Sequence, residues 1–319
     1  MNASINPVAR RGNLMLDIRP HTSCDFHRII MPYGQLKADP KAPVFVFNRQ
    51  PSHGIHSLMT MKKAGIKIIC DIDDHFDVGP QHVMYELFKK HNIAEIIKQS
   101  LQLADVVTCT NHELAEAVKP YAKHIEILPN ALPFDQGQFT LSTDTESDRA
   151  MVYVAGTTHR HDMSLFAGHI DESHLTIAGH NPEREEWRKI EALFGPDVRY
   201  KPETAIDTYM SLYDGHGVAL APLVDTEFNR CKSNLKVLEA GAKGIPIVVS
   251  DVHPYLNPTD YDAVDYASDG IEWRERTEQL IHDRVYRAER GQQLAEHVRE
   301  HYHLDKINEI RRQIVEGIV

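Results

Sequence analysis

What most constrains this chain is an alternation, made twice, of short Val- and Ile-rich runs with helical stretches. The first set of runs is NLMLDI (13–18), APVFVFN (42–48), IKIICDI (66–72), ADVVTCT (104–110) and HIEILPN (124–130). They are short and largely without polar alternation, as strands covered on both faces should be. Helical stretches at 25–37, 53–64, 82–102 and 111–120 separate them. A β-α-β-α order predicts a parallel sheet wrapped on both sides. A polar, acidic stretch (134–150) then interrupts the pattern and reads as a linker.

The alternation restarts with MVYVAG (151–156), LTIAGH (175–180), VRYKP (198–202), GVALAPL (217–223) and GIPIVVSD (244–251). Helices are expected near 160–168, 183–194, 203–213, 232–243 and 270–290, and a last one over 292–316. The predicted fold class is α/β, with two Rossmann-like, doubly wound parallel-sheet domains facing a cleft. They would span 1–140 and 151–291, with 292–319 packing back on the first. Ligands of such sheets bind beyond the carboxyl ends of the strands.

Composition narrows the function. The 319 residues carry a formal net charge of -11, which opposes a general nucleic-acid or anionic-membrane surface. No run of about 18 apolar residues occurs, so no integral membrane segment is expected. The N-terminal stretch lacks the apolar core of a signal peptide, which predicts a cytoplasmic protein. Cys24, Cys70, Cys109 and Cys231 form no C-x-x-C pair, so free thiols are expected rather than a disulfide frame or a zinc site.

Three segments carry candidate chemistry. FNRCKSNLKVLEAGAKGIPIVVSD (228–251) follows a strand and runs through a helix into the next strand. With the helix starting near Lys232 and capped by Ser233 or Asn234, its N–H groups, Arg230 and Lys232 would attract phosphate. Lys232, Lys236, Glu239 and Lys243 would share one face, with Glu239 accepting from sugar hydroxyls. The alternative is a solvated helix face with weak ion pairs. VYVAGTTHRHD (152–162) runs from a strand into Gly156, Thr157, His159 and Arg160, which suit phosphate contact; an ordinary capped turn is the alternative. KIICDIDDHFD (67–77) ends a strand in Asp71, Asp73, Asp74 and His75. Such a cluster could hold a divalent cation, act as a base or orient hydroxyls, or simply cap a helix and pair with arginine. Asp25 and Arg28, after the first strand, could join it.

The segment KSNLKVLEAGAKGIPIVVSD, with APL before it, resembles the donor-nucleotide segment of GT-B glycosyltransferases of the group-1, family-4-like branch, in bacterial or phage form. The resemblance implies a glycosyltransferase that moves a sugar from a nucleotide-diphosphate sugar, foremost a UDP-sugar, to a hydroxyl acceptor with retention. It makes Glu239 the ribose ligand, and it gives Gly156, Thr157, His159, Arg160, Arg230, Lys232, Ser233 and Asn234 to the donor. Asp73, Asp74 and His75 become the candidate catalytic residues, and Asp25, Arg28 and Asp71 acceptor ligands. No cofactor or metal is required, although the aspartates leave a divalent ion open. Acceptors in view are a glycan, a lipid-linked group or a modified DNA base; Arg10, Arg11, Lys62, Lys63 and Lys67 could form a strip for DNA. The resemblance departs at Cys231, where many members carry a glutamate that contacts the transferred sugar. That departure keeps a non-catalytic nucleotide-sugar-binding protein in view. A phosphatase using Asp71 and Asp73 is a distant third, because its aspartate pair belongs after the first strand.

Overall fold

A computed structural model describes residues 8–19, 22–80, 82–142, 151–257, 259–260 and 262–318. The chain divides into two units: residues 1–131, 230–233 and 304–319, and residues 132–229 and 234–303.

The sheet of the first unit contains β1 (Val8–Arg11), β2 (Leu14–Asp17), β3 (Val44–Asn48), β4 (Lys67–Ile72), β5 (Val106–Cys109) and β6 (Ile125–Ile127), side by side in that order. β2 to β6 are parallel. Side-chain alternation assigns each residue of a strand to one of two cores. Phe45, Phe47, Ile68 and Cys70 pack with Leu58, Leu101, Leu114 and Val118. Val44, Val46 and Ile69 face the other way, against Ile29, Tyr33 and Val315. Both faces are therefore covered, which is why VFVFN shows no polar alternation. β1 is an addition to the sequence reading. It pairs antiparallel with β2 across a turn at Gly12, whose φ of +57° suits glycine. Its arginines disguise it as a non-strand, yet charge is common on edge strands.

The expected helix at 25–37 is three consecutive pieces: Ser23–Asp25, a π-helical turn at Phe26–Ile30, and Met31–Gln35. The stretch 82–102 is divided into Tyr85–His91 and Ile93–Leu103 by Asn92 at φ +51°, a conformation that asparagine tolerates.

The second sheet contains β7 (Met151–Val154), β8 (Leu175–His180), β9 (Arg199–Pro202), β10 (Val218–Ala221), β11 (Ile247–Ser250) and β12 (Asp265–Ala267). Its order is β12-β11-β10-β7-β8-β9, all parallel. The winding reverses between β7 and β10, and a sheet of this kind binds ligands at its reversal point. β12 is only three residues, DYA, which is why it has no sequence signal of its own. The helix expected at 203–213 is limited to a 3-10 segment, Tyr209–Tyr213.

The front of the polar 134–150 stretch is built into the second unit. Phe134 and Phe139 are buried, Asp135 pairs with Arg299 at 2.7 Å, and Ser142 N donates to Lys243 O. Residues 143–150 lie outside the described residues. The C-terminal stretch is two helices, Arg284–Tyr302 and Leu304–Gly317, separated at His303, whose ψ of 133° breaks the helix. The first packs within the second unit against the Leu235–Lys243 helix, where a Cβ on Gly241 would lie 2.6 Å from Val298 Cγ2 and one on Gly291 would lie 2.3 Å from Gly244 O. The second belongs to the first unit, where Val315 is buried and Asn308 Nδ2 donates to Pro32 O.

Candidate functional site

At the reversal point of the second sheet, two loops meet. After β7 the chain passes Ala155 and Gly156 into a 3-10 turn, Thr157–His159, and a one-turn helix, Arg160–Met163. After β10 it passes Pro222 and Val224 to a short helical turn at Glu227–Arg230. Asp162 ties them together. Its Oδ1 accepts from Val224 N and Asn229 Nδ2, each at 2.9 Å, and its Oδ2 pairs with His159 Nδ1 at 2.8 Å. Asp162 is 4% exposed, so a buried carboxylate fixes the orientation of the His159 ring. Gly156 and Arg160 are exposed, and Thr157 and His159 are half-buried, so these four form a rim. A Cβ on Gly156 would meet nothing within 4 Å, whereas one on Gly179, at φ +97°, would lie 2.6 Å from Ala155 O. Gly179, and not Gly156, is the glycine that the packing of this rim requires. From sequence Asp162 is only a candidate helix cap and Gly179 carries no signal; the tie between the two loops depends on partners 62 and 67 residues away.

The helix carrying Glu239 starts at Leu235 and not near Lys232, so Lys232 does not share its face. Asn234 occupies the N-cap position without capping. Its Nδ2 donates instead to Asp260 Oδ2 at 2.7 Å, and Asp260, fully buried, also accepts from Tyr302 and pairs with His297. Nor is the rest of the stripe a solvated face. Glu239 is 2% exposed, and its Oε2 accepts from Tyr213 Oη at 2.6 Å and Lys236 Nζ at 3.1 Å. Burial first, and then the Glu239 charge, push the Tyr213 hydroxyl well above its ordinary range, so it stays a donor. Lys243 is buried and pairs with Asp214 at 2.8 Å. A buried carboxylate held by tyrosine and lysine is a poised acceptor, unlike an exposed Glu–Lys pair.

Residues 230–233 belong to the first unit, so the expected phosphate set is divided. Cys231 is 2% exposed in the first unit's core, which explains why no glutamate stands there. Asn111 Nδ2 donates to Lys232 O at 2.6 Å, and Asn130 Nδ2 to Ser233 Oγ at 2.8 Å. Lys232 Nζ lies 3.5 Å from Asp74 Oδ1.

The aspartates after β4 divide into two groups. Asp71 and Arg28, both buried, form a bidentate pair at 2.8 Å on each side. Asn48 and Thr108 also donate to Asp71, and Arg28 donates to Asn130. A carboxylate has about four acceptor sites, and all four of Asp71's are taken. Asp25, with 0% exposure, accepts from Arg19. Asp25, Arg28 and Asp71, expected as acceptor ligands, are here bonded to protein partners.

Asp73 and Asp74 are more open and share Arg49, which donates to Asp73 Oδ1 at 2.9 Å and Asp74 Oδ2 at 2.8 Å. Burial alone would raise the Asp73 carboxyl, but the charge and hydrogen bonds of Arg49 win and hold it well below the usual range. That makes Asp73 a poor base and a good hydrogen-bond acceptor. His75 is 6% exposed, and its Nδ1 is engaged with the backbone of Asp77. That contact shapes the turn after β4. Cys24, Asp73 and Asp74 come close enough to form a metal-ligand set. Arg49 donates to all three, so its guanidinium supplies the positive charge there. Among the basic residues considered for DNA, Arg11 donates to Tyr33 O and Gly34 O, and Lys62 to Leu103 O and Asp105.

No family model matches the sequence, and no curated protein matches it. Solved structures do. A sucrose-phosphate synthase from Thermosynechococcus elongatus aligns with a TM-score of 0.64 at 14% identity, over 87% of this chain and 74% of the other. TarM aligns with 0.63 at 13%, over 89% of this chain and 57% of the other. HepE from Anabaena, solved in complex with UDP-glucose, aligns with 0.60 at 11%, over 86% and 78%. At such identities the likeness is one of fold. Two six-stranded α/β units, parallel except for the edge strand β1, and these neighbours give the chain the GT-B fold.

Proposed function

We propose that this protein is a glycosyltransferase that takes a sugar from a nucleotide-diphosphate sugar, a UDP-sugar first among them, and passes it to a hydroxyl acceptor. The observation that carries this reading is the reversal point of the second sheet. There a buried Asp162 binds together the two loops that flank it and holds His159, which shares a rim with Gly156, Thr157 and Arg160. Arg160 and the imidazole of His159 suit the leaving diphosphate, whose charge grows as the glycosidic bond breaks. Glu239 is the group for ribose hydroxyls, with Lys236 as its exchangeable partner. The neighbours support the donor class: HepE was solved with UDP-glucose and a trehalose-6-phosphate enzyme from E. coli with UDP-2-fluoro glucose. The resemblance of the 232–251 segment favours retention at the anomeric carbon and no metal on the donor.

A DNA base as acceptor is disfavoured by the commitment of Arg11 and Lys62 to protein carbonyls and by the charge of -11. The test is incubation with a panel of nucleotide sugars, with and without alcohols, and measurement of released nucleoside diphosphate. One donor class should be consumed, and Asp162→Asn should slow its consumption at least tenfold without lowering the melting temperature by more than a few degrees. Donor binding without release of nucleotide under any acceptor would identify a binding protein instead.

A further inference from the structure

The first unit has a cavity of about 250 Å³ that none of the expected site residues predicted. It lies at the carboxyl ends of β2 and β3, with Arg19, Arg49 and Gln50 among the residues of its polar side and Leu87, Phe88 and Ile93 among those of its apolar side. Four features describe what it can hold.

The polar side is rich in donors. Arg19 uses Nε and Nη2 on Asp25 and Asn48, and Arg49 uses Nε and Nη2 on Asp73, Cys24 and Asp74. Among the described residues nothing accepts from Nη1 of either arginine, and none bonds to the Gln50 side-chain amide. Fixed charge nevertheless cancels: Arg19, Arg49 and Lys232 are answered by Asp25, Asp73 and Asp74. A polyanion gains nothing from such a site, whereas neutral oxygen acceptors do. Opposite stands hydrocarbon, and Leu87 is 43% exposed, which leaves apolar surface to be covered by a ligand. Finally, Arg49 holds a left-handed backbone at φ +56°, and strain of this kind in a long side chain gathers at ligand sites.

We propose that this cavity binds the apolar part and adjoining hydroxyls of an uncharged amphiphile, of the alkyl or aryl glycoside class. A volume of about 250 Å³ is below the usual range for a whole drug-sized ligand, so one ring or a short chain enters and the remainder extends outward. That the amphiphile is the sugar acceptor rests on the transfer reading above; that it binds does not.

The experiment is titration of the whole protein, without nucleotide, by calorimetry. Hexyl β-D-glucopyranoside and phenyl β-D-glucopyranoside are the probes, with glucose, hexyl phosphate and inorganic phosphate as comparisons. The glucosides should bind at least tenfold more tightly than glucose, and hexyl phosphate no more tightly than hexyl glucoside. Leu87→Glu, at an exposed position that tolerates charge, should weaken hexyl glucoside at least tenfold, and Gln50→Ala about threefold. Equal binding of glucose and hexyl glucoside, no binding of either glucoside, or an unchanged Leu87→Glu would overturn the proposal, and so would preference for hexyl phosphate. UDP is titrated in parallel. Loss of glucoside binding with UDP binding kept removes the cavity assignment alone. Glucoside binding without binding of UDP or of any other nucleoside diphosphate keeps the cavity and removes the transfer reading.

Discussion

Replacing Gly291 by alanine tests how the helix that bears Glu239 is held. Gly291 lies in the Arg284–Tyr302 helix, and its missing side chain lets Gly244 O approach. A Cβ there would sit 2.3 Å from that oxygen and 3.2 Å from Pro246 Cδ, against about 3.4 Å for ordinary contact. The oxygen belongs to backbone, so it cannot swing aside; one helix must back away by about 1 Å. Overpacking of this kind costs about 1–3 kcal/mol. Alanine's better helix propensity returns about 0.5–1 kcal/mol. The net expectation is a loss of about 1–2 kcal/mol, or about 2–8 °C in a domain of this size. The same movement disturbs Gly244, the left-handed C-cap of the Leu235–Lys243 helix, one turn beyond Glu239. Differential scanning calorimetry should therefore show a lower midpoint. Gly34→Ala is the contrast, since a Cβ there meets nothing within 4 Å and the helix gains about 0.5–1 kcal/mol. A Gly291→Ala variant as stable as wild type, or more so, would refute the helix contact described here.

Other outcomes follow from buried charges. Burial, against weaker support from the Tyr213 carbonyl, pushes His216 down to about 4 from its ordinary 6.5. The neutral ring therefore contributes stability that is present above pH 6.5 and is lost as pH falls toward 4. Urea titrations should show about 2–3 kcal/mol lost from this source by pH 4.5, and His216→Gln should lose correspondingly less over that interval. Arg28→Met, which strands a carboxylate bonded on four sides, should cost about 3–5 kcal/mol in the same assay. Adding Asp71→Leu should recover part of that cost, because the two residues are directly coupled.

The strands were legible because parallel strands buried on two faces must be continuous apolar runs; VFVFN and KIICDI are both nearly or fully buried. What escaped was either too short or too charged to show a period, namely VARR at the edge and DYA. The site was legible by type and less so by partner. Glu239 could be singled out by its helical spacing with the lysines and by the resemblance of its segment, but no spacing rule shows that Tyr213, 26 residues away, bonds to it. The aspartates after β4 were visible as a cluster. Their division into a closed pair at Asp71 and an open set around Arg49 depends on Arg28 and Arg49, which reach them from 43 and 24 residues earlier. Lys232 was misplaced for a local reason: Ser233 and Asn234 look like caps, yet their side chains serve Asn130 and Asp260 instead.

The most direct test of the account is calorimetric titration of UDP into wild type and Glu239→Gln, a change that keeps shape and removes charge. Hydrogen bonds to a charged group contribute about 1.5–3 kcal/mol, so the variant, while remaining folded, should bind UDP about 10–150-fold more weakly. Equal affinity in a folded variant, or no heat with UDP or any other nucleoside diphosphate in wild type, would contradict the claim that the second unit is the donor site.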